Sequence, residues 1–429
     1  MKDKISLFIK KRRKAIFAYM SSLISLVSGF LLIIIVNKLS GVDIYGQFSL
    51  IVASTTLITK FLSSRTSEAI IKFYIRSDLD NDRCKMQLTI FISLTIDFVS
   101  ASLIYLIINY YSDIISEGLL KTEINNELWL YSLVVVMVFM KSSLVGYLQA
   151  KNQLNTISII NSIESIVKIT TLYLLFKHVS SSLENIVLSV VFSTFLSYFS
   201  FLILAIYYLY RDKMFFKPSL NFTFVKEYFR FTATTFVSST LKGINQGGDV
   251  IILGIFTNPS IVGVYDSVKK ITNISTFPSL VMPFLYASKI SEWGGGKKYG
   301  KIKNVIFYTT LKLLLVSSSV ATVIVLFGDE FLEYFSIDEG YNNILYILLV
   351  GSLLNVSVWW GRIYSNIIDP FISLYVNVFI SLYLVTFSTS MTYLWGLEGM
   401  ASSIAVMNVG VFIIFIKLSK LKAKDATNE

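Results

Sequence analysis

One cysteine, one histidine and five prolines in 429 residues close off several kinds of chemistry at the outset. Cys84 alone makes no intrachain disulfide and no thiolate cage, so no structural metal is expected. With His178 as the sole imidazole, neither triad chemistry nor a transition-metal centre is expected, and no cofactor is implied. Charge is scarce as well. Only 15% of the residues are Asp, Glu, Lys or Arg, where a soluble chain carries roughly a quarter. Hydrophilic stretches long enough for a soluble domain are missing.

What the chain has in excess is apolar sequence: 54% hydrophobic residues and a mean hydropathy of +0.66. Crossing about 30 Å of hydrocarbon takes roughly 20 apolar residues in a helix. Such runs recur at Ala15–Val36, Gly46–Ser63, Met86–Tyr111, Leu128–Leu148, Leu154–Phe176 and Asn185–Tyr210. Six more follow, at Phe229–Phe256, Ser260–Ser288, Asn304–Phe327, Ile344–Asn366, Pro370–Met391 and Leu394–Ile416. The expectation is an all-α polytopic membrane protein of about twelve transmembrane helices. Trp129, Trp395, Tyr110 and Tyr111 fall where an interfacial aromatic belt belongs.

The basic residues set an orientation. Lys2, Lys4, Lys10, Lys11, Arg12, Arg13 and Lys14 precede the first span, and alternate loops and the C-terminal tail continue the pattern. The opposite loops hold only Lys38, Lys121 and Lys177. By the positive-inside rule both termini are expected to be cytoplasmic. The net charge of +11 then reports topology and contact with anionic lipid heads, not nucleic-acid binding.

Seven basic residues lie inside spans: Lys60, Lys141, Lys168, Lys242, Lys269, Lys270 and Lys312. A lysine at a helix centre costs about 2.5–3.5 kcal/mol on insertion scales, so all of them facing lipid is excluded. They must be paired, wet or snorkelling, and Lys60 and Lys312 lie close enough to span ends to snorkel. Others form stripes. Lys242, Asn245, Gln246 and Asp249 recur at i, i+3, i+4, i+7, and Asp266, Lys269, Lys270 and Asn273 repeat the spacing. The fifth span carries Asn161, Glu164, Lys168 and Thr171 on one side, the first Ser21, Ser25 and Ser28, and the tenth Asn355, Trp359, Arg362, Asn366 and Asp369. Glu164 with Lys168, and Asp266 with Lys269 or Lys270, are either structural pairs or members of a polar cavity. Asp97, alone in the third span, is either a proton carrier or hydrogen-bonded to a nearby hydroxyl.

The chain repeats itself once. LSGVDIYGQFSL (Leu39–Leu50) after the first span is matched by FTNPSIVGVYDS (Phe256–Ser267) after the seventh, an offset of 217 residues. Ile44 corresponds to Ile261, Gly46 to Gly263 and Phe48 to Tyr265. Two parallel halves of six helices, residues 1–217 and 218–429, around a central cavity follow from that placement.

These residues also carry a resemblance. LSGVDIYGQFSLI, Glu68–Tyr74, Gly146–Gln153, Asp249–Leu253, Val262–Tyr265, Val268–Ile271 and Glu339–Tyr341 make the chain similar to Wzx-type O-antigen flippases. These are polysaccharide exporters of the superfamily that includes multidrug MATE exporters and lipid II flippases. The resemblance implies a bacterial inner-membrane transporter, not an enzyme. Its implied cargo is an oligosaccharide on undecaprenyl diphosphate, and its implied partners are membrane lipids, an O-antigen polymerase and a chain-length regulator. A diphosphate calls for cations, so Lys242, Lys269, Lys270, Arg362, Lys168 and Lys141 become the expected cationic cavity. Asp97, Asp249, Glu164 and Asp266 become candidates for ion coupling, and Trp359 or Trp360 could stack on sugar faces. Rival readings are a capsule, exopolysaccharide or lipid II flippase, a drug antiporter, or a glycan polymerase. The polymerase is disfavoured by the short acidic loops Ser112–Glu127 and Gly328–Asn343.

Overall fold

The structure, a computed structural model, describes residues 2–63, 65–120, 124–212, 221–280, 282, 286, 290, 293, 299–361 and 370–425. The side chains of 2–16, 119, 120, 299, 370–373, 418–425 and eight residues between 234 and 244, Lys242 among them, stand outside that description, as does Arg362. Among the described residues there are helices and no strand. Among the described residues, eight helical stretches are long and apolar enough to cross a membrane, which makes the protein multi-pass.

The chain divides into two compact units, one of residues 1–40 and 51–246 and the other of residues 41–50 and 247–429. The first holds α1 (Lys2–Ser40), most of α2 (Val42–Leu62), α3 (Thr66–Leu79), α4 (Arg83–Tyr110), α5 (Asn125–Ala150), α6 (Leu154–His178), α7 (Leu183–Arg211) and α8 (Phe222–Asn245). Of these, α3 was not expected as a helix, since Arg65–Lys85 is too basic to cross a membrane. Its buried residues Thr66, Ala69, Ile70, Phe73, Tyr74 and Ser77 nevertheless keep the three-and-four spacing of an amphipathic helix. Phe73 packs on Phe224, Tyr228 and Phe231 at 5.5, 5.2 and 5.7 Å between ring centroids. Tyr74 meets Tyr147 edge-on at 5.5 Å.

Asp97 fixes where α3 begins. It is 2% exposed and accepts from Thr66 Oγ1 at 2.6 Å, the Ser143 amide at 2.9 Å and the Ser143 hydroxyl. Gly146 completes the joint, because a Cβ there would stand 2.6 Å from Ser67 Cα. An acceptor that serves three buried donors is costly to delete. Asp97→Ala should therefore destabilise the protein by about 3 kcal/mol, read as a lowered thermal midpoint in detergent. An unchanged midpoint would show that the carboxylate does not hold α3 to α4 and α5.

The second unit holds α9 (Gly248–Phe256), α10 (Pro259–Asn273), a 3₁₀ turn (Ile274–Thr276) leading into α11 (Phe277–Leu280), and α12 (Tyr299–Leu326). It continues with α13 (Gly328–Tyr334), α14 (Asn342–Ser357), α15 (Pro370–Tyr383) and α16 (Thr389–Asp425), the last kinked at Gly396. The expected seventh span is broken: α8 ends at Asn245 and α9 starts at Gly248. Consecutive glycines Gly247 and Gly248 supply the reason, since glycine costs about 1 kcal/mol in a helix interior. The Lys242–Asp249 stripe is accordingly divided between two helices. Asn258 then caps α10, its side chain accepting from the Ile261 amide at 3.0 Å with Pro259 in the first turn.

The first turns of α2 pack on α10 within this unit, through the two glycines of the repeat. A Cβ on Gly46 would be driven into the Pro259 carbonyl, and one on Gly263 into the Val42 carbonyl and within 3.0 Å of the Gly46 amide. The 217-residue offset turns the first of these contacts into the second. The crossing is thus self-complementary, as a local two-fold requires, and backbones approach this closely only where side chains are absent.

Candidate functional site

Besides the Asp97 joint, two polar constellations carrying lysines stand out within the apolar helices among the described residues, one in each unit. In the first unit a pocket of 430 Å³ opens midway along the spans. Helix α1 gives it Ser21, Ser22 and Ser25; α6 gives Asn161, Glu164, Ser165 and Lys168; α7 gives Val190, Ser193 and Thr194. The stripes read on the first and fifth spans are therefore brought together. Ser28 ties the two helices, donating to the Ser165 carbonyl at 2.8 Å. The sequence points to Lys168 as the partner of Glu164, and the structure brings Lys141 onto it from α5. Lys141 Nζ lies 2.6 Å from Glu164 Oε2 and donates to Ser197 Oγ at 2.9 Å. The same ammonium lies over the ring of Phe201, 5.2 Å from its centroid. One lysine thus joins α5, α6 and α7, and the pocket keeps Lys168 and its hydroxyls on the lining.

In the second unit, α9, α10 and the start of α2 build two Tyr–Asp–Lys sets. Asp249 accepts from Tyr265 OH at 2.7 Å and from Lys269. Asp266 accepts from Tyr45 OH at 2.6 Å and Ser49 Oγ at 2.7 Å, with Lys270 Nζ 3.0 Å away. Lys270 also donates to Tyr45 OH at 2.6 Å, so a chain runs from Lys270 through Tyr45 to Asp266. The acids are buried, at 5% and 13% side-chain exposure for Asp249 and Asp266, while Lys269 and Lys270 remain 33% and 42% exposed. Each carboxylate is held through its Oδ2 by a tyrosine hydroxyl and presents its ammonium partner outward. Asp249 Oδ1 is buried and has no hydrogen-bond partner among the described residues.

The chain belongs to the polysaccharide biosynthesis protein family, which matches residues 12–289.

The family match thus spans the first unit from residue 12 onward, both Tyr–Asp–Lys sets and the repeat crossing. No curated protein matches the chain closely enough to count as a relative. Among solved structures, an inward-facing multidrug resistance MATE family transporter of the MOP superfamily superposes with a TM-score of 0.77 at 14% identity, over 96% of this chain and 99% of that one. An outward-facing MATE family transporter gives 0.69 at 16% identity, over 97% and 96%. The lipid II flippase MurJ, in an inward closed conformation, gives 0.68 at 14% identity, over 94% and 87%. The fold of this polysaccharide biosynthesis family member is that of the MATE and MurJ transporters.

Several site expectations end differently. Trp359 and Trp360 are core residues, each 7% exposed. Trp359 Nε1 donates to Thr310 Oγ1 at 3.0 Å, and Trp360 meets Phe415 edge-on at 5.9 Å between centroids, and with both rings buried neither offers an open face to a sugar. Their position past the end of α14, where the helix loosens into a turn, buries what a continuous helix would have turned toward the polar stripe. Lys242 and Arg362 lie outside the described side chains. Tyr45, Ser49 and Tyr265, which serve the two acids, escaped the sequence reading; the repeat motif that contains them is the one signal that could have found them. Trp129, Trp395, Tyr110 and Tyr111 are exposed, as a belt requires.

Proposed function

We propose that the protein moves an oligosaccharide carried on undecaprenyl diphosphate from the cytoplasmic to the periplasmic face of the bacterial inner membrane, as an O-antigen repeat-unit flippase. The observation that carries this reading is the hydroxyl-lined pocket at mid-span in a chain of the polysaccharide biosynthesis family. A lipid tail crosses hydrocarbon without help, whereas sugar hydroxyls must exchange water for other hydrogen-bonding groups. Ser21, Ser22, Ser25, Asn161, Ser193 and Thr194 offer donors and acceptors with no fixed charge, which suits a sugar.

In the same reading, Lys269 and Lys270 meet the diphosphate with their exposed ammonium groups, joined by Lys242 and Arg362. Lys141 and Lys168 bias the sugar pocket toward the carrier's negative end. Asp249, with one oxygen unpartnered, is the foremost of the coupling candidates; Asp97, Glu164 and Asp266 are more fully engaged. Two six-helix halves working by alternating access remain part of the proposal, supported by the self-complementary Gly46–Gly263 crossing.

The test is complementation of a flippase-deficient strain, with surface polysaccharide measured beside membrane protein level. Ser25→Leu and Ser193→Leu fill the pocket with apolar bulk and should each lower surface polysaccharide about tenfold, the equivalent of roughly 1.4 kcal/mol on the transport barrier. Full polysaccharide from well-expressed Ser25→Leu and Ser193→Leu proteins would remove the pocket from the pathway.

A further inference from the structure

A second pocket, of 600 Å³, lies at one end of the first unit and is used by none of the chemistry above. Three chain segments meet there. The α3–α4 turn supplies Asp78, Asn81 and Arg83, the residue after α5 is Lys151, and Arg211 and Asp212 close α7. Asn81 and Asn152 take left-handed backbone, with φ of 54° and 61°, a conformation asparagine tolerates better than most residues. Each thereby reverses the chain tightly enough to bring the helix ends together.

Two of the cations are held in place. Lys151 Nζ is 2.6 Å from Asp212 Oδ2 and 5.3 Å from the Tyr74 ring centroid. Arg211 Nε is 3.3 Å from Asp212 Oδ1, and its guanidinium carbon is 4.6 Å from the Tyr208 centroid. Burial works against the charge on Asp212, but Lys151 and Arg211 outweigh it and hold the carboxyl below its usual range. The third cation, Arg83, is exposed and makes no ion pair among the described residues. Three cations thus face two carboxylates, one of which is already occupied by two of them.

We propose that this pocket holds the phosphate of an anionic lipid headgroup at the membrane surface. Its residues stand at the ends of the spanning helices α4, α5 and α7, the depth at which headgroups lie. Tyr207 and Tyr210, exposed on the last turns of α7, are the amphipathic rings expected at that depth. Arginine supplies the planar fork that matches phosphate oxygens, and the fork of Arg83 meets no carboxylate among the described residues. The excess of positive charge selects an anionic headgroup over a zwitterionic one.

Inorganic phosphate offers the same chemistry from water, so the test separates the two sources. Thermal unfolding of the purified full chain in detergent is followed against phosphatidylglycerol, phosphatidylcholine and inorganic phosphate. Phosphatidylglycerol should raise the midpoint saturably, with phosphatidylcholine giving no saturable shift. Arg83→Gln, at an exposed position, should keep the lipid-free midpoint and bind phosphatidylglycerol about tenfold more weakly, with Arg83→Lys between the two. Equal phosphatidylglycerol binding by Arg83→Gln and the unaltered chain would overturn the proposal. So would a saturable shift with inorganic phosphate and none with phosphatidylglycerol.

Discussion

Gly46→Ala should cripple the protein, and Gly29→Ala should leave it slightly more stable. Both sites are helical, so both gain about 1 kcal/mol of helix propensity from the added methyl group. They differ in what that methyl meets. At Gly29 nothing stands within 4 Å, whereas at Gly46 the Pro259 carbonyl occupies the space. The obstacle is backbone on both sides, which cannot rotate away as a side chain can. Relief requires α2 and α10 to separate, at a cost of at least about 1–3 kcal/mol and with loss of the Tyr45 and Ser49 bonds to Asp266. Because the crossing is self-complementary, Gly263→Ala should behave as Gly46→Ala does. Thermal midpoints of the three purified variants, beside surface polysaccharide in a complemented strain, check this. Equal midpoints for Gly46→Ala and Gly29→Ala would show that the two helices do not meet at these glycines.

The second large effect is an asymmetry between two partners in one ion pair. Lys269→Ala strands a carboxylate that is 5% exposed, while Asp249→Ala strands an ammonium that is 33% exposed and can turn toward water. Removing one partner of a buried pair costs about 3–5 kcal/mol, and that figure belongs to Lys269→Ala. Asp249→Ala should cost clearly less. Replacing both, Asp249→Asn with Lys269→Met, removes the stranded charge and should return most of the stability. The double variant then separates structure from transport. A protein that accumulates normally yet exports about tenfold less, roughly 1.4 kcal/mol on the barrier, gives the pair a part in transport, through the Lys269 charge on the cargo or the Asp249 carboxylate in coupling. Full export by the double variant would reduce the pair to a structural device.

The class of fold was legible because hydrocarbon imposes a simple constraint: spans must be long, apolar and helical. The runs in α1, α4, α5, α6 and α7 state this directly. The polar stripe on α6 was legible for the same reason, since Glu164 and Lys168 are expensive anywhere but in a wet or paired setting, and Ser21 and Ser25 on α1 were legible by their spacing alone. Partner choice was not legible. Helical spacing shows which residues share a face, and Glu164 with Lys168 satisfies it, but the arrival of Lys141 depends on how α5 packs against α6 and α7. The two acids of the second unit show the same limit. Tyr45 and Ser49 lie more than two hundred residues from Asp266, and only the packing at Gly46 and Gly263 brings them there. Trp359 and Trp360 mislead because a polar stripe presumes a continuous helix, and α14 stops at Ser357. Helix α3 was overlooked because its charge masked a regular buried face.

Reconstituted transport tests the central claim most directly. The purified chain is placed in vesicles loaded with lipid-linked oligosaccharide extracted from cells that make this protein, and exposure of the sugar to a membrane-impermeant reagent is followed in time. The account predicts that the chain accelerates exposure well beyond protein-free vesicles and that Gly46→Ala and Ser25→Leu each remove most of the acceleration. Exposure at the protein-free rate, from vesicles in which the same chain exports a cationic dye, would contradict it.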